Sequence, residues 1–174
     1  MPDKLKVGII GCGGIAQQEH IPGFLRLKSV VLQSVCDKNE ELARQTAAKY
    51  RIPKAYSELS HMLSVENLDV VSICTPPQIH TSLALEALQH GCHVLMEKPM
   101  ALKVADCDQM IDAAQSKGVK LCIIHNKLFN PPFPKARRLI AEGVIGDFTG
   151  MRILLSDPRD DMIMREDYWI HNLP

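Results

Sequence analysis

Residues 5–16 read LKVGIIGCGGIA. The first six are an apolar run typical of a buried strand, and the last six fit the pattern G-x-G-x-x-A that joins such a strand to a helix. In this pattern Gly11 permits the tight turn, Gly13 lets the backbone approach a pyrophosphate, and Ala16 allows close packing of helix on strand. The N–H groups at the start of the helix would face the anion. The stretch therefore predicts a dinucleotide-binding loop, with contacts from Gly11, Gly13, Gly14, Ile15 and Ala16.

The rest of the chain up to residue 124 alternates between apolar, β-branched runs and helical patterns. The predicted strands lie near residues 5–10, 30–36, 54–56, 69–73, 93–96 and 119–124. The predicted helices lie near residues 15–27, 40–50, 57–65, 79–90 and 104–117, with Pro22 kinking the first and Gly91 and Gly118 ending the last two. This alternation is typical of an α/β fold with a doubly wound parallel sheet, a Rossmann domain over residues 1–124.

The pattern changes after residue 124. A helix near 133–142 and a strand at 147–155 are predicted there, too little structure to bury a core. We interpret residues 125–174 as the incomplete start of a C-terminal α+β domain for substrate binding and oligomerisation.

Composition narrows the classes of partner. Basic and acidic residues number 20 each, so no net charge favours nucleic acid or a membrane surface, and no apolar stretch is long enough to span a membrane. Because the N-terminus is already the first strand, we expect no signal peptide and a cytoplasmic protein. The six cysteines form no C-x-x-C pair and are expected to be reduced. Cys92 and His93 would point to opposite faces of a strand, so no metal site is predicted.

Polar residues at the ends of the second and fourth strands extend the predicted cofactor site. Asp37 can accept hydrogen bonds from ribose hydroxyls and would repel a 2′-phosphate, which favours NAD, whereas Lys38 could pair with that phosphate and keeps NADP open. Thr75 and Pro76 follow the fourth strand, where a stiff loop would run beside the nicotinamide, although a simple helix start explains them equally well. His80 either approaches the same site or caps and packs its helix.

The stretch Glu97-Lys98-Pro99 follows the fifth strand. A lysine at a strand's carboxyl end can meet a cofactor there, and burial beside a positively charged nicotinamide would disfavour its ammonium form. Lys98 can then take the proton of a substrate hydroxyl or return it. Glu97 would hold this loop or tune the lysine. If Lys98 did not follow the fifth strand, the simpler interpretation would be a solvent-exposed lysine in a turn.

These segments together resemble the Gfo/Idh/MocA family, named for glucose-fructose oxidoreductase and inositol dehydrogenase. The resemblance rests on GCGGIA, Asp37, CTPPQIH (74–80), EALQHGCHVLMEKPMAL (86–102) and HNKLFNPPF (125–133). It implies an NAD(P)-dependent oxidoreductase that acts on sugars, inositols or related polyols and forms homo-oligomers through its second domain. It also implies that Lys98 matches the catalytic lysine and that Asn126 lies close to cofactor and substrate.

The chain departs from that family in its extent. Members continue through a large sheet to an Asp and a His that complete the active site, beyond the equivalent of Pro174. The chain alone is therefore expected to bind cofactor without turnover. Two alternatives stay open: a module that senses NAD(H) and signals through an edge strand at 150–155, and an NAD-dependent glycosidase of the same family.

Overall fold

A six-stranded parallel sheet organises the first part of the chain, as shown by a computed structural model that describes residues 4–154. The strands are β1 (Leu5–Ile10), β2 (Val30–Cys36), β3 (Lys54–Tyr56), β4 (Val70–Ile73), β5 (His93–Met96) and β6 (Leu121–Ile123). Their order is β3-β2-β1-β4-β5-β6, and every neighbouring pair is parallel. This order confirms the predicted doubly wound fold, in which the direction of winding reverses between β1 and β4.

Helices connect the strands. They are α1 (Ile21–Leu25), α2 (Glu40–Tyr50), α3 (Leu59–Val65), α4 (His80–Gln89) and α5 (Val104–Lys117). The predicted helix ends are confirmed: Gly91 follows the C-cap of α4 with φ +78°, and Gly118 is the C-cap of α5 with φ +66°. Glycine adopts this left-handed conformation without the steric cost that a Cβ would bring.

Two apolar clusters form the core, one on each face of the sheet. Val7 and Ile9 of β1 pack with α1 and α2, whereas Ile10 belongs to the cluster that also contains residues of α3, α4 and α5. This separation follows from the alternation of side chains along a strand. The face on which a helix packs also determines which loops at the ends of the strands lie near that helix.

The helical segment after β1 begins at Gly14 and contains a π-helical turn, Ala16–His20, before α1 starts. The N–H of Ile21 bonds the carbonyl oxygen of Ala16, five residues back, and Pro22 has no N–H to continue an α-helical pattern. Pro22 thus lies at the change from the π-helical turn to α1, and a kink there stays a prediction. His20, the last residue of the π-helical turn, is buried.

The chain divides into two compact units between Ile124 and His125. The described part of the second unit contains a 3-10 turn, Asn126–Phe129, and α6 (Pro132–Ala141). The strand predicted at 147–155 is wrong for residues 147–154, which form no strand; its last residue lies outside the described residues. A strand needs a neighbour for its hydrogen bonds, and none of the described residues of this unit supplies one. The role of this unit stays a prediction.

Across residues 4–154, no helix combines the length and apolar character that a membrane crossing requires.

Candidate dinucleotide site and catalytic loop

A cleft of about 530 Å³ opens at the carboxyl edge of the sheet, where the strand order reverses. Ligands of doubly wound sheets bind at this point because the loops after β1 and β4 diverge to opposite faces. Six of the residues predicted from sequence to bind a cofactor line this cleft together: Gly11, Gly13, Asp37, Lys38, Thr75 and Pro76.

The glycine loop is held by backbone bonds and by Asp37. The N–H of Gly11 donates to the carbonyl oxygen of Cys36 at 2.8 Å, and the N–H of Cys12 donates to Asp37 Oδ2 at 2.8 Å. Asp37 Oδ1 accepts from the N–H of Asn39 at 2.9 Å. The carboxylate therefore joins the loop after β1 to the end of β2, and each oxygen keeps lone-pair capacity for a ribose hydroxyl.

The two glycines of the G-x-G pattern, Gly11 and Gly13, face different surroundings. Gly11 has φ +87°, and a Cβ there would lie 2.9 Å from Thr75 Cγ2 and 3.0 Å from the Cys74 carbonyl. A Cβ on Gly13 would meet no described atom within 4 Å. Gly11 is thus required by the packing of the loop on β4, whereas the space beside Gly13 is open for a ligand.

Thr75 adds a second sign that the cleft suits a ligand. Its Oγ1 is buried and has no hydrogen-bond partner among the described residues. Buried hydroxyls are usually paired. With the open space at Gly13 and the carboxylate of Asp37, this unpaired hydroxyl fits a dinucleotide, whose phosphates and ribose hydroxyls offer complementary groups.

Seven further residues that line the cleft were not predicted from the sequence. Ser57, Glu58, Leu59 and Ser60 lie at the start of α3, and Ile79, Leu83 and Glu86 lie on or just before α4. No local motif marks these residues. They enter the cleft only because α3 and α4 pack side by side on one face of the sheet.

His80 is placed behind the cleft and is 0% exposed. Its Nδ1 lies 2.9 Å from the Pro99 carbonyl oxygen and its Nε2 lies 2.8 Å from the Thr75 carbonyl oxygen. A neutral imidazole donates only one of these bonds, so both are made together only by the doubly protonated ring. The ring joins the loops after β4 and β5. In this position it offers no surface to a cofactor, and the predicted direct contact stays a prediction.

Glu97 and Lys98 occupy the loop after β5, next to the loop after β4. The Glu97 side chain is 13% exposed, and its Oε1 lies 3.1 Å from Nε2 of His20. Nδ1 of His20 lies 2.8 Å from Oγ of Ser72. Glu97 Oε2 accepts a bond from the Lys98 N–H at 3.3 Å. The Lys98 residue is exposed, so the burial that was expected to disfavour its ammonium form is wrong for this structure. The Lys98–Pro99 peptide is cis.

The hydrogen bond from His20 holds the pKa of Glu97 below its usual value of 4.5. A depressed carboxyl pKa contributes stability that is present above 4.5 and is lost as the pH falls through the folded-state value. We expect this chain to be more stable than its Glu97→Gln variant at pH 7, with a difference that shrinks below pH 4.5. Urea unfolding followed by circular dichroism at several pH values measures this difference. Glu41→Gln, at an exposed position of α2, is the control; a Glu97 difference that is constant with pH would contradict the assignment.

Three buried thiols surround the glycine loop. Burial, aided by the negative charge of Asp37, raises the pKa of the Cys12 thiol to about 12, and burial raises the pKa of Cys36 to about 12. Burial also raises the pKa of Cys74. Such thiols stay protonated and pack as small apolar groups rather than acting as nucleophiles. None of the six cysteines is disulfide-bonded in the described structure.

The other predicted site residues are placed as follows. Gly14 and Ile15 are helical and directly precede the π-helical turn, and Ala16 begins that turn and is fully buried. Asn126 belongs to the second unit, so its predicted contact with cofactor stays a prediction. Within residues 4–154 no cluster of His, Cys, Asp or Glu has the arrangement of a metal site.

The fold order, the glycine loop and the carboxylate at the end of β2 define a dinucleotide-binding Rossmann protein. The sequence profile of the Gfo/Idh/MocA oxidoreductases, described as an oxidoreductase family with an NAD-binding Rossmann fold, matches residues 5–125. The chain belongs to this family, which confirms the resemblance drawn from its motifs. The cofactor of this fold is accordingly NAD, with NADP as the alternative.

Characterised dehydrogenases are among its relatives. D-glucoside 3-dehydrogenase of Escherichia coli K12 is 32% identical over 82% of this chain and 41% of its own length. Myo-inositol 2-dehydrogenase of Thermotoga maritima is 29% identical over 88% of this chain and 46% of its own length. The chain thus spans less than half of these two relatives.

A solved structure shows the same architecture. The WlbA dehydrogenase from Bordetella pertussis, in complex with NADH and UDP-GlcNAcA, is 31% identical, with a TM-score of 0.78 over 82% of this chain and 43% of that chain.

Proposed function

We propose that the complete protein is an NAD-dependent dehydrogenase of a sugar, an inositol or a related polyol, with Lys98 as general acid and base. The observation that carries this proposal is the position of Lys98, an exposed lysine directly after β5, beside the β4 loop that lines the dinucleotide cleft. The names of the relatives, D-glucoside 3-dehydrogenase and myo-inositol 2-dehydrogenase, support the substrate class.

In the proposed reaction the residues of this chain bind the cofactor and move one proton. The glycine loop and Asp37 hold the dinucleotide, and the β4 loop with Thr75 borders it. A nicotinamide bound there would supply the acceptor for the hydride of the substrate carbon, and in the reverse direction its donor. The Lys98 amine takes the hydroxyl proton as the alcohol becomes a carbonyl, and in the reverse direction its ammonium gives the proton back.

The charges around the cleft favour NAD over NADP. Three carboxylates line it, those of Asp37, Glu58 and Glu86, against the single ammonium of Lys38. A 2′-phosphate placed near Asp37 would be repelled by that carboxylate, which is anchored by two backbone N–H groups.

Replacing Asp37 by asparagine tests this preference because it removes the charge and keeps the shape. We expect the ratio of the Kd for NADPH to the Kd for NADH to fall about tenfold, equivalent to about 1.4 kcal/mol. Calorimetric titration of the chain with each nucleotide measures the ratio. Lys38→Ala is the matched counterpart and should raise the ratio. Tighter binding of NADPH than NADH by the unchanged chain would contradict the preference.

The reaction itself is tested with the full-length protein that contains this chain. Incubation with NAD and a panel of inositols, aldoses and glucosides should form NADH, detected by its absorbance, with at least one member of the panel. The 174-residue chain should bind NADH and form none. Absence of NADH binding to both proteins would overturn the proposal.

The two alternatives predict different behaviour. A sensory module would need an edge strand at 150–155, and residues 150–154 form none. A glycosidase would release a sugar without net NADH formation, so the same panel separates it from a dehydrogenase. That the complete protein is a cytoplasmic homo-oligomer stays a prediction.

A further inference from the structure

His20 is a buried histidine that the proposed proton transfer does not use. It ends the π-helical turn that begins at Ala16, directly after the glycine loop, and is 8% exposed. Its two ring nitrogens meet side chains from two other elements: Ser72 of β4 at 2.8 Å and Glu97 of the β5 loop at 3.1 Å. One ring therefore connects the cofactor loop with the loop that bears Lys98, across 77 residues of sequence.

The chemistry of these groups determines which atom donates and which accepts in each hydrogen bond. A carboxylate only accepts hydrogen bonds, and Glu97 is ionised at neutral pH because its pKa lies below the usual value of 4.5. Nε2 of His20 must therefore carry the proton of that bond. In the neutral ring Nδ1 then has a lone pair, and the hydroxyl of Ser72 donates to it. For the neutral ring the order of donors is Ser72 to His20 to Glu97.

This order of donors resembles that of a hydrolytic triad, but Ser72 is not placed to attack a substrate. It is 0% exposed, and its backbone pairs with Ile9 of β1 and Leu95 of β5 in the middle of the sheet. A nucleophilic serine must reach a bound substrate with its hydroxyl. The three residues therefore serve the structure around them rather than a covalent reaction.

Glu97 links His20 to the backbone of the neighbouring residue, Lys98. The Glu97 N–H donates to the carbonyl oxygen of Ile73 at 3.0 Å, and Glu97 Oε2 accepts from the Lys98 N–H at 3.3 Å. The residue before Lys98 is thus held to β4 by its backbone and to His20 by its side chain. On the other side of Lys98, the carbonyl oxygen of Pro99 lies 2.9 Å from Nδ1 of His80, so the loop is supported at both of its ends.

We propose that His20 is a positioning residue, which, with Ser72, fixes the Glu97 carboxylate and through it the backbone at Lys98. The proposal rests on the proposed role of Lys98. Misplacement of a reacting group by about 1 Å can cost 10²-fold in rate, so a loop held in this way affects turnover more than binding. The dinucleotide cleft has its own supports in Gly11 and Asp37, which do not pass through His20.

Variants of His20 in the full-length protein test this role. His20→Leu removes the donor to Glu97, and His20→Gln offers an amide N–H close to the position of Nε2. We expect His20→Leu to lower kcat about tenfold or more, with the Kd for NADH changed less than about twofold, and His20→Gln to recover part of the loss. Ser72→Ala should lower kcat by a smaller factor. His90→Leu and His90→Gln, at an exposed position after α4, are the matched controls.

Hydrogen exchange at the Lys98 amide tests the positioning role of His20 without a measurement of enzyme activity. We expect faster exchange of the peptide that contains residues 97–99 in His20→Leu, and exchange near the unchanged rate in His20→Gln and in the His90 variants. Unchanged kcat and unchanged exchange in folded His20→Leu would overturn the inference. So would equal loss of kcat in His20→Leu and His20→Gln without faster exchange.

The inference and the proposed function can fail separately. If Lys98→Ala keeps full activity, the proposed function fails, and the exchange measurement alone decides whether His20 holds the loop. If Lys98→Ala is inactive while His20→Leu behaves as the unchanged protein, only the positioning role is overturned.

Discussion

Loss of turnover with retained cofactor binding is the expected result when Lys98 is replaced by alanine in the full-length protein. A positioned general acid or base contributes about 10²–10⁴-fold to rate, so kcat should fall by that factor. The Kd for NADH should change by less than about twofold, because Lys98 does not line the described cleft. Initial rates with the best substrate of the panel and calorimetric titration with NADH measure the two quantities.

A second substitution tests whether Lys98 acts through its positive charge or through proton transfer. Lys98→Arg keeps a positive charge but gives a group that does not lose its proton in proteins. If Lys98 moves a proton, Lys98→Arg should be as inactive as Lys98→Ala. If its charge alone matters, Lys98→Arg should keep most of the activity. Lys103→Ala, at the N-cap of α5, is the control for loss of a lysine near the same loop.

The second large effect is expected at the glycine loop, where two alanine substitutions should fail for different reasons. Gly11→Ala would place a side chain at φ +87°, with a Cβ 2.9 Å from Thr75 Cγ2. The strained backbone costs about 1–2 kcal/mol, and the close contact with β4 adds to it. We expect a loss of about 2–4 kcal/mol in the free energy of unfolding.

Gly13→Ala should leave the fold intact and impair binding. Its Cβ would meet no described atom within 4 Å, so the free energy of unfolding should change by less than about 1 kcal/mol. The same Cβ would occupy the space that a pyrophosphate needs, and the Kd for NADH should rise about tenfold or more. Urea unfolding and calorimetry on both variants measure stability and binding separately. Binding of NADH to Gly13→Ala with the original Kd would show that the cofactor does not approach this glycine.

Much of the Rossmann unit was predictable because its signals are local. Each strand is a short apolar run, and the glycine loop, Pro22, Gly91 and Gly118 impose their conformations on the residues beside them. The carboxyl ends of parallel strands share one edge of the sheet, which is why Asp37 and the β4 loop could be assigned to one site.

The prediction of a strand at 147–155 was wrong because a strand depends on more than its local sequence. Its apolar, β-branched pattern indicates a segment that can pair with a neighbour, and none of the described residues after 124 supplies that neighbour. A local pattern indicates which conformation a segment prefers, whereas a strand forms only when a neighbouring strand pairs with its backbone.

The sequence by itself determined the strands and helices up to residue 124, the dinucleotide loop and the position of Lys98 at a strand end, because these depend on residues close together in the chain. Only the tertiary structure decided that His20 bonds Ser72 and Glu97, and that His80 lies between the Thr75 and Pro99 carbonyls. These contacts join residues up to 77 positions apart. They depend on which strands become neighbours and on which face each helix packs, and no local pattern of residues encodes either.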